Sequence, residues 1–297
     1  MKITITGSLG NISKPLAELL INNGHEVTII SSDPKKINNI EALGARAEIG
    51  SVSDVAFLTN AFKGADAIYT MVPPNWAATN YRQYIKETGN NLRDAIKASG
   101  VKKVVNLSSI GAHLSEGTGP IAGMHDVEQT LNTLDGVAVK HLRAGFFFIN
   151  FFFDIGTIRH MGVMGNNYAS DAKMVLVHPN DIAIAAAQEL QGAFAGKSFR
   201  YVVSEERTIA EIVKALGAAI NKPDLPWVQF SNEETYAGMT SAGMSPAIAT
   251  TYVEMGTAIK SGILFEDFEA HKPQVWGQIK LTHFAHEFAA VYNAQQQ

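Results

Sequence analysis

Apolar and polar positions alternate along the first half of the chain with two periods, and the switching between them predicts the fold. Residues 3–6 (Ile-Thr-Ile-Thr) read as a short strand ending at Gly7. Residues 15–23 have helical spacing and are closed by Gly24, a residue suited to the left-handed position after a last turn. Residues 27–30 are an apolar, mostly β-branched strand, followed by Ser31-Ser32-Asp33-Pro34, a helix-start signal. The alternation continues with helices over 35–43, 54–62, 80–99 and 126–134, and strands over 46–49, 67–72, 101–107 and 138–142. Apolar strands alternating with helices predict a parallel sheet covered on both faces. Right-handed crossovers make that sheet doubly wound, an α/β Rossmann fold.

The second half changes character. Strands are expected only over 174–177, 198–203 and 227–230, with helices over 179–190, 209–220, 232–240, 245–259 and 283–292. The expected division is a nucleotide domain of residues 1–155 and 178–204, and a smaller, mostly helical substrate lobe of residues 156–177 and 205–297. Neither an internal repeat nor a low-complexity linker is visible, and residues 295–297 read as a frayed end. In an open α/β sheet, ligands bind in the crevice at the carboxyl ends of the strands.

Composition narrows the function. The 297 residues hold 24 Lys plus Arg against 28 Asp plus Glu, a formal net charge of −4, which argues against binding nucleic acid through phosphates. At 46% hydrophobic, the chain is too apolar to be disordered. Without cysteine there is no disulfide scaffold, thiolate nucleophile or cysteine metal site. Six Phe fall between Phe146 and Phe153, but Asn150 interrupts the run and Asp154 ends it, so it falls short of the ~18 apolar residues of a membrane span. MKITITG lacks the apolar core of a signal peptide. The expectation is a soluble, cytoplasmic protein.

The strongest local signal is Gly7-Ser8-Leu9-Gly10-Asn11-Ile12-Ser13, spaced G-x-x-G-x-x-S between the first strand and the first helix. Gly7 supplies a tight turn and Gly10 a close approach to a pyrophosphate, while Ser13 stands where a third small residue lets helix and strand pack. About 20 residues on, Ser32-Asp33 reaches the adenosine ribose. Asp33 suits the free hydroxyl of NAD(H), or else merely caps the next helix. Ser32, Lys35 and Lys36 suit the extra phosphate of NADP(H), and the balance tips to NADP(H).

With these segments the sequence resembles the NmrA-like family, an atypical branch of the short-chain dehydrogenase superfamily. The matching pieces are ITGSLGNIS, HEVTIISSDPKK, IGSVSD, VVNLSSIGA, HLRAGFFFINF and VHPNDIAIAA, in that order over nearly the whole chain. The resemblance implies an extended dinucleotide touching Gly7, Gly10, Asn11, Ile12, Ser32, Ser51 and Val52, beside Asp33 and Lys36 from the spacing above. Its nicotinamide end would pass Val72, Pro73, Asn106 and Ser108, with Gly145 closing the far side. Members include quinone reductases, triphenylmethane-dye reductases, isoflavone-reductase relatives and regulators that sense the dinucleotide without turnover. The chain departs from the superfamily where many enzymes carry Tyr-x-x-x-Lys. It reads GPIAGMHDVEQTL, with Met124 or His125 near the lysine position.

Three functions therefore stay open. One is an NAD(P)H-dependent reductase of a flat, electron-poor small molecule such as a quinone. Another is a dinucleotide sensor acting through a protein partner, and the weakest is a sugar-nucleotide epimerase or dehydratase, which needs a Tyr acid–base group. His125 is the candidate proton donor, or else it caps a helix starting at Asp126. Pro74, Trp76, Phe146 and Phe147 are candidates to line the substrate pocket, with Tyr81 and Tyr84 beside them, while Phe151 to Phe153 read as core or lobe contact. Asp181 is expected to cap a helix, and Glu205-Glu206 to be a solvated pair. No metal site is expected, because His283 and His286 have no evident third ligand.

Overall fold

A computed structural model describes residues 1–294; the expected frayed end lies outside them. The first part of the chain runs β1 (Lys2–Ile5), α1 (Ser13–Asn22), β2 (Glu26–Ser31), a 3-10 turn (Pro34–Lys36), α2 (Ile37–Ala42), β3 (Arg46–Ile49), α3 (Val55–Phe62), β4 (Ala67–Thr70), α4 (Tyr81–Ser99), β5 (Lys103–Ser109), α5 (Pro120–Asn132) and β6 (Ala138–Ala144). There follow β7 (Phe146–Phe147), a 3-10 helix (Phe148–Phe153), α6 (Asp154–Met161), β8 (Met164–Asn166), β9 (Lys173–Val177), α7 (Pro179–Gln191), β10 (Lys197–Val202), β11 (Glu205–Thr208) and α8 (Ile209–Ala219). The chain closes with β12 (Trp227–Gln229), α9 (Asn232–Ser241), α10 (Pro246–Ser261), a 3-10 turn (Ile263–Phe265), α11 (Glu266–Ala270) and α12 (Leu281–Ala294).

The main sheet is parallel, in the order β10-β6-β5-β4-β1-β2-β3. The order reverses between β1 and β4, which sets the crevice at their carboxyl ends. Helices α1 and α7 cover one face, and α3, α4 and α5 the other. Left-handed glycines close several of these helices, Gly24 at φ +78° and Gly100 at φ +79° among them. Asn80 caps α4 by accepting from the Gln83 amide at 3.0 Å.

The C-terminal lobe is less purely helical than the pattern suggests. Three short strands escape it. Antiparallel β11 and parallel β7 flank β9, and β8 pairs with β12. Glu205 and Glu206 thus lie in a strand. Glu205 accepts from the Leu281 amide at 2.7 Å, and Glu206 pairs with Lys272 at 3.1 Å. Asp181 caps nothing of its own. Its buried carboxylate takes the Ser204 hydroxyl at 2.7 Å and the Gln278 and Ile279 amides at 3.0 and 3.1 Å, pinning the segment that leads to α12.

The phenylalanine run divides by position. Phe148 and Phe151 are core, and Phe152 stacks against Phe288. Phe153, expected as core or lobe contact, is 77% exposed, because the 3-10 turn rotates it outward. Among the described residues no helix is long and apolar enough to cross a membrane.

Candidate functional site

The chain leaves β1 and turns at Gly7, whose φ is +96°. A Cβ there would sit 2.5 Å from the Ser13 hydroxyl and 3.2 Å from the Met71 side chain, so the position is reserved for glycine. At Gly10 an added Cβ would lie 3.0 Å from the Gly7 carbonyl. Ser13, fully packed, donates its hydroxyl to the Thr6 carbonyl at 2.8 Å and ties helix start to strand end. Helix α1 begins behind Ile12 with no side-chain cap and no acidic residue in its first turn. By contrast α3 and α8 are capped by Asp54 and Thr208. Uncapped amides at the positive end of a helix, on a glycine turn, fit a pyrophosphate.

At the ribose end, Ser31 is buried, and its hydroxyl accepts from Ser8 at 2.9 Å and from the Asp33 amide at 3.2 Å. The Asp33 carboxylate accepts from the Lys35 amide at 3.0 Å and starts the 3-10 turn, so it does serve as a cap. Ser32 and Lys35 are exposed and Lys36 is half-buried. Ser51 is exposed with its hydroxyl on Ser53, and Val52 is half-buried, its carbonyl taking the Asn91 side chain. Asn11 is exposed and Ile12 buried.

Toward the expected nicotinamide end, the Met71 amide donates to the Thr6 hydroxyl at 2.9 Å. The Tyr84 hydroxyl donates to the Pro73 carbonyl at 2.8 Å. These bonds hold the β4–α4 connection, with Val72 and Pro73 half-buried and Pro74 exposed. Two candidates are not brought to the cleft by their side chains. Asn106 is buried between Thr70 and His141, at 3.0 and 3.2 Å, in a polar chain that ends on Asn132. Burial pushes the His141 imidazole down to about 4, so it takes part as a neutral ring. Ser108 is equally turned inward and donates to Glu128 at 2.6 Å. Both side chains point at α5 because strand residues two apart share a face. Gly145 has a packing reason of its own. A Cβ there would lie 2.6 Å from the Val175 carbonyl on β9.

Helix α5 starts at Pro120, six residues ahead of the expected start, so His125 lies inside it and caps nothing. Its Nδ1 is 2.9 Å from the Ala112 carbonyl. A carbonyl only accepts, so Nδ1 carries the hydrogen and Nε2 is the nitrogen left for other contacts. Met124 stands half-buried beside it, and α5 carries no tyrosine and no lysine.

The aromatic candidates join into one row. Tyr84 stacks on Tyr81 at 6.3 Å between centroids, and Tyr81 on Trp76 at 6.3 Å. Trp76 then meets Tyr252 of α10 at 5.9 Å. Tyr252 was missed from sequence, because nothing local distinguishes it from other helix residues. Phe146 and Phe147 point to opposite faces of β7, Phe146 toward the C-terminal core and Phe147 toward the nucleotide-domain core, each half-buried. Among the described residues no three metal-ligating side chains come together. His283 pairs instead with Glu287 at 3.3 Å.

Residues 7–140 match the model of an NAD(P)H-binding family. A Mycobacterium tuberculosis protein with a provisional oxidoreductase name is 27% identical over 126 residues, 39% of this chain and 55% of that protein. The chain thus matches about half the length of that curated relative. Solved structures extend the likeness to the whole fold. The NADPH-dependent quinone oxidoreductase of Escherichia coli, complexed with NADPH, superposes with a TM-score of 0.81 at 21% identity, over 96% of this chain and 99% of that one. The triphenylmethane reductase of Citrobacter sp. complexed with NADP(H) gives 0.77 at 20% identity, over 97% and 99%. A nucleoside-diphosphate-sugar epimerase of Staphylococcus aureus gives 0.77 at 16% identity, over 96% and 100%. Residues 7–140 thus resemble an NAD(P)H-binding family, and the chain shares the α/β fold of these solved structures.

Proposed function

We propose that this chain is an NAD(P)H-dependent oxidoreductase that reduces a flat, electron-poor small molecule of the quinone type. The observation that carries the reading is the pairing of a glycine-turn phosphate cradle with an α5 that offers neither Tyr nor Lys. Alcohol oxidation and sugar epimerisation usually need such a Tyr as acid–base group. An acceptor that takes hydride into an electron-poor ring does not.

A bound reduced dinucleotide supplies the hydride. The chain's own contribution is to hold phosphate at Gly7, Gly10 and the α1 amides, and to seat the nicotinamide end against Val72 and Pro73. His125, oriented by the Ala112 carbonyl, would give one proton from Nε2 when its ring is charged. Reduction of a quinone to a hydroquinone consumes that proton and the hydride together. The test is NADPH and NADH oxidation against a panel of quinones. Turnover above background supports the reading, and bound cofactor without turnover on any acceptor overturns it in favour of a dinucleotide sensor acting through a protein partner.

The cofactor preference follows from the ribose end. With Asp33 occupied as a cap and Lys35 and Lys36 adjacent, NADP(H) is favoured over NAD(H). Ser32→Arg is expected to tighten NADPH binding about tenfold through a charge-assisted bond to phosphate, and to leave NADH unchanged. Asp33→Ala is expected to weaken NADH no more than NADPH. Calorimetric titration of both cofactors checks this, and a selective loss of NADH in Asp33→Ala returns the carboxylate to the ribose.

A further inference from the structure

Trp76 occupies a peculiar position. It sits in the β4–α4 connection at the carboxyl edge of the sheet, three residues beyond Pro73, and is 46% exposed. Singly exposed apolar side chains are ordinary on a protein surface, Phe153 and Val275 among them. Yet this indole is not loose. It touches the nucleotide domain through Tyr81, in an almost parallel stack at 15°, and the C-terminal lobe through Tyr252, tilted at 35°. Tyr81 is backed by Tyr84, stacked at 13°, whose hydroxyl holds the Pro73 carbonyl. The row is therefore anchored at both ends, and its one exposed member lies where the two lobes meet.

We propose that Trp76 and Tyr252 form an aromatic clamp that selects fused-ring over single-ring acceptors, with Tyr252 a specificity-determining residue supplied by the C-terminal lobe. This rests on the reductase reading above and names the acceptor class within it. Three residues of chain span at most about 10 Å, so the Trp76 backbone lies within that reach of Pro73, in the connection that leaves β4 at Thr70. A single six-membered ring offers the indole less face to stack on than a fused ring system does. A second or third fused ring extends the stacked face, and stacking there adds to the gain from the area covered. Because the row is pre-assembled, the acceptor does not have to order it on binding. The clamp acts on binding rather than on hydride transfer, so its loss raises KM and leaves kcat.

The experiment uses the whole chain with 1,4-naphthoquinone and 1,4-benzoquinone as probes. Trp76 is one of three tryptophans and the exposed one, so quenching of tryptophan fluorescence reads acceptor binding without turnover. The expected result is saturable quenching by naphthoquinone, with benzoquinone about tenfold weaker. Tyr252→Leu weakens naphthoquinone about tenfold and raises its KM by a similar factor at unchanged kcat, while benzoquinone and NADPH are unaffected. Tyr252→Phe, which keeps the ring, restores wild-type behaviour. Trp76→Leu, at a position that is 46% exposed, abolishes the saturable quenching. Equal effects on both quinones, or quenching that survives in Trp76→Leu, overturns the clamp. Saturable quenching with no NAD(P)H consumed leaves the clamp standing and removes the reductase reading.

Discussion

Arg143→Met is expected to cost about 3–5 kcal/mol of stability, the range for stranding one member of a buried ion pair. The guanidinium is buried on β6, and two of its nitrogens donate to the Glu128 carboxylate at 3.0 and 2.8 Å. A third reaches Asp267 of α11 at 3.0 Å, and the Phe199 ring lies 4.1 Å from the guanidinium carbon. Burial alone would push the arginine down, but the bonds and charge of Glu128 together with Tyr201 raise it on balance and hold the charge. Without Arg143, the buried Glu128 carboxylate keeps only the Ser108 hydroxyl among these partners. Thermal unfolding should report a fall in Tm of roughly 10 °C. Glu128→Gln in the same chain should recover part of it, because a neutral amide carries no unpaired charge. A single Arg143→Met variant with wild-type Tm would mean the pair contributes nothing net. Asp267, 22% exposed, is the weaker arm, so Asp267→Ala should cost only about 1 kcal/mol.

That network was illegible in the sequence, although the strands carrying it were not. Arg143, Glu128 and Ser108 are three ordinary polar residues spread over 36 positions, and only the register of β5 with β6 sets Ser108 beside Arg143. What was legible is local. The apolar strand runs, the helix start at Ser31-Ser32-Asp33-Pro34 and the glycine turn at Gly7 are all signalled within a few residues, and the first half of the fold follows from them. The start of α5 ahead of the expected Asp126 has a local cause as well: Pro120 opens the helix at its first position, directly after Gly119. Strands β7, β8 and β11 are two to four residues long, and their partners are distant, so no period of two develops. At the site, the phosphate cradle was visible because its chemistry requires glycine. Asn106 and Ser108 misled because strand parity, not residue type, decides which face they serve. Tyr252 was invisible because its role depends on a contact across lobes.

Gly119→Ala is expected to destabilise the protein by about 2–6 kcal/mol and to lift α10 from its seat. Gly119 is the residue ahead of α5, with φ +60° and ψ −127°, a conformation that costs other residues ~1–3 kcal/mol. A methyl group there would lie 2.0 Å from the Thr251 carbonyl oxygen and 3.2 Å from the Met255 Cβ, both on α10. The obstacle is backbone, so no side-chain rotation relieves it, and overpacking adds ~1–3 kcal/mol. Gly117→Ala is the control. It sits in the same loop at φ +75° with nothing within 4 Å of an added methyl, so it pays the conformational cost alone. Urea unfolding of the two variants separates backbone strain from the contact with α10, and equal losses would refute the contact. The consequence reaches the site, because α10 carries Tyr252 and the same β5–α5 connection supplies the Ala112 carbonyl that orients His125. Tryptophan emission of Gly119→Ala should therefore change as Tyr252 withdraws from Trp76, while that of Gly117→Ala should match the wild type.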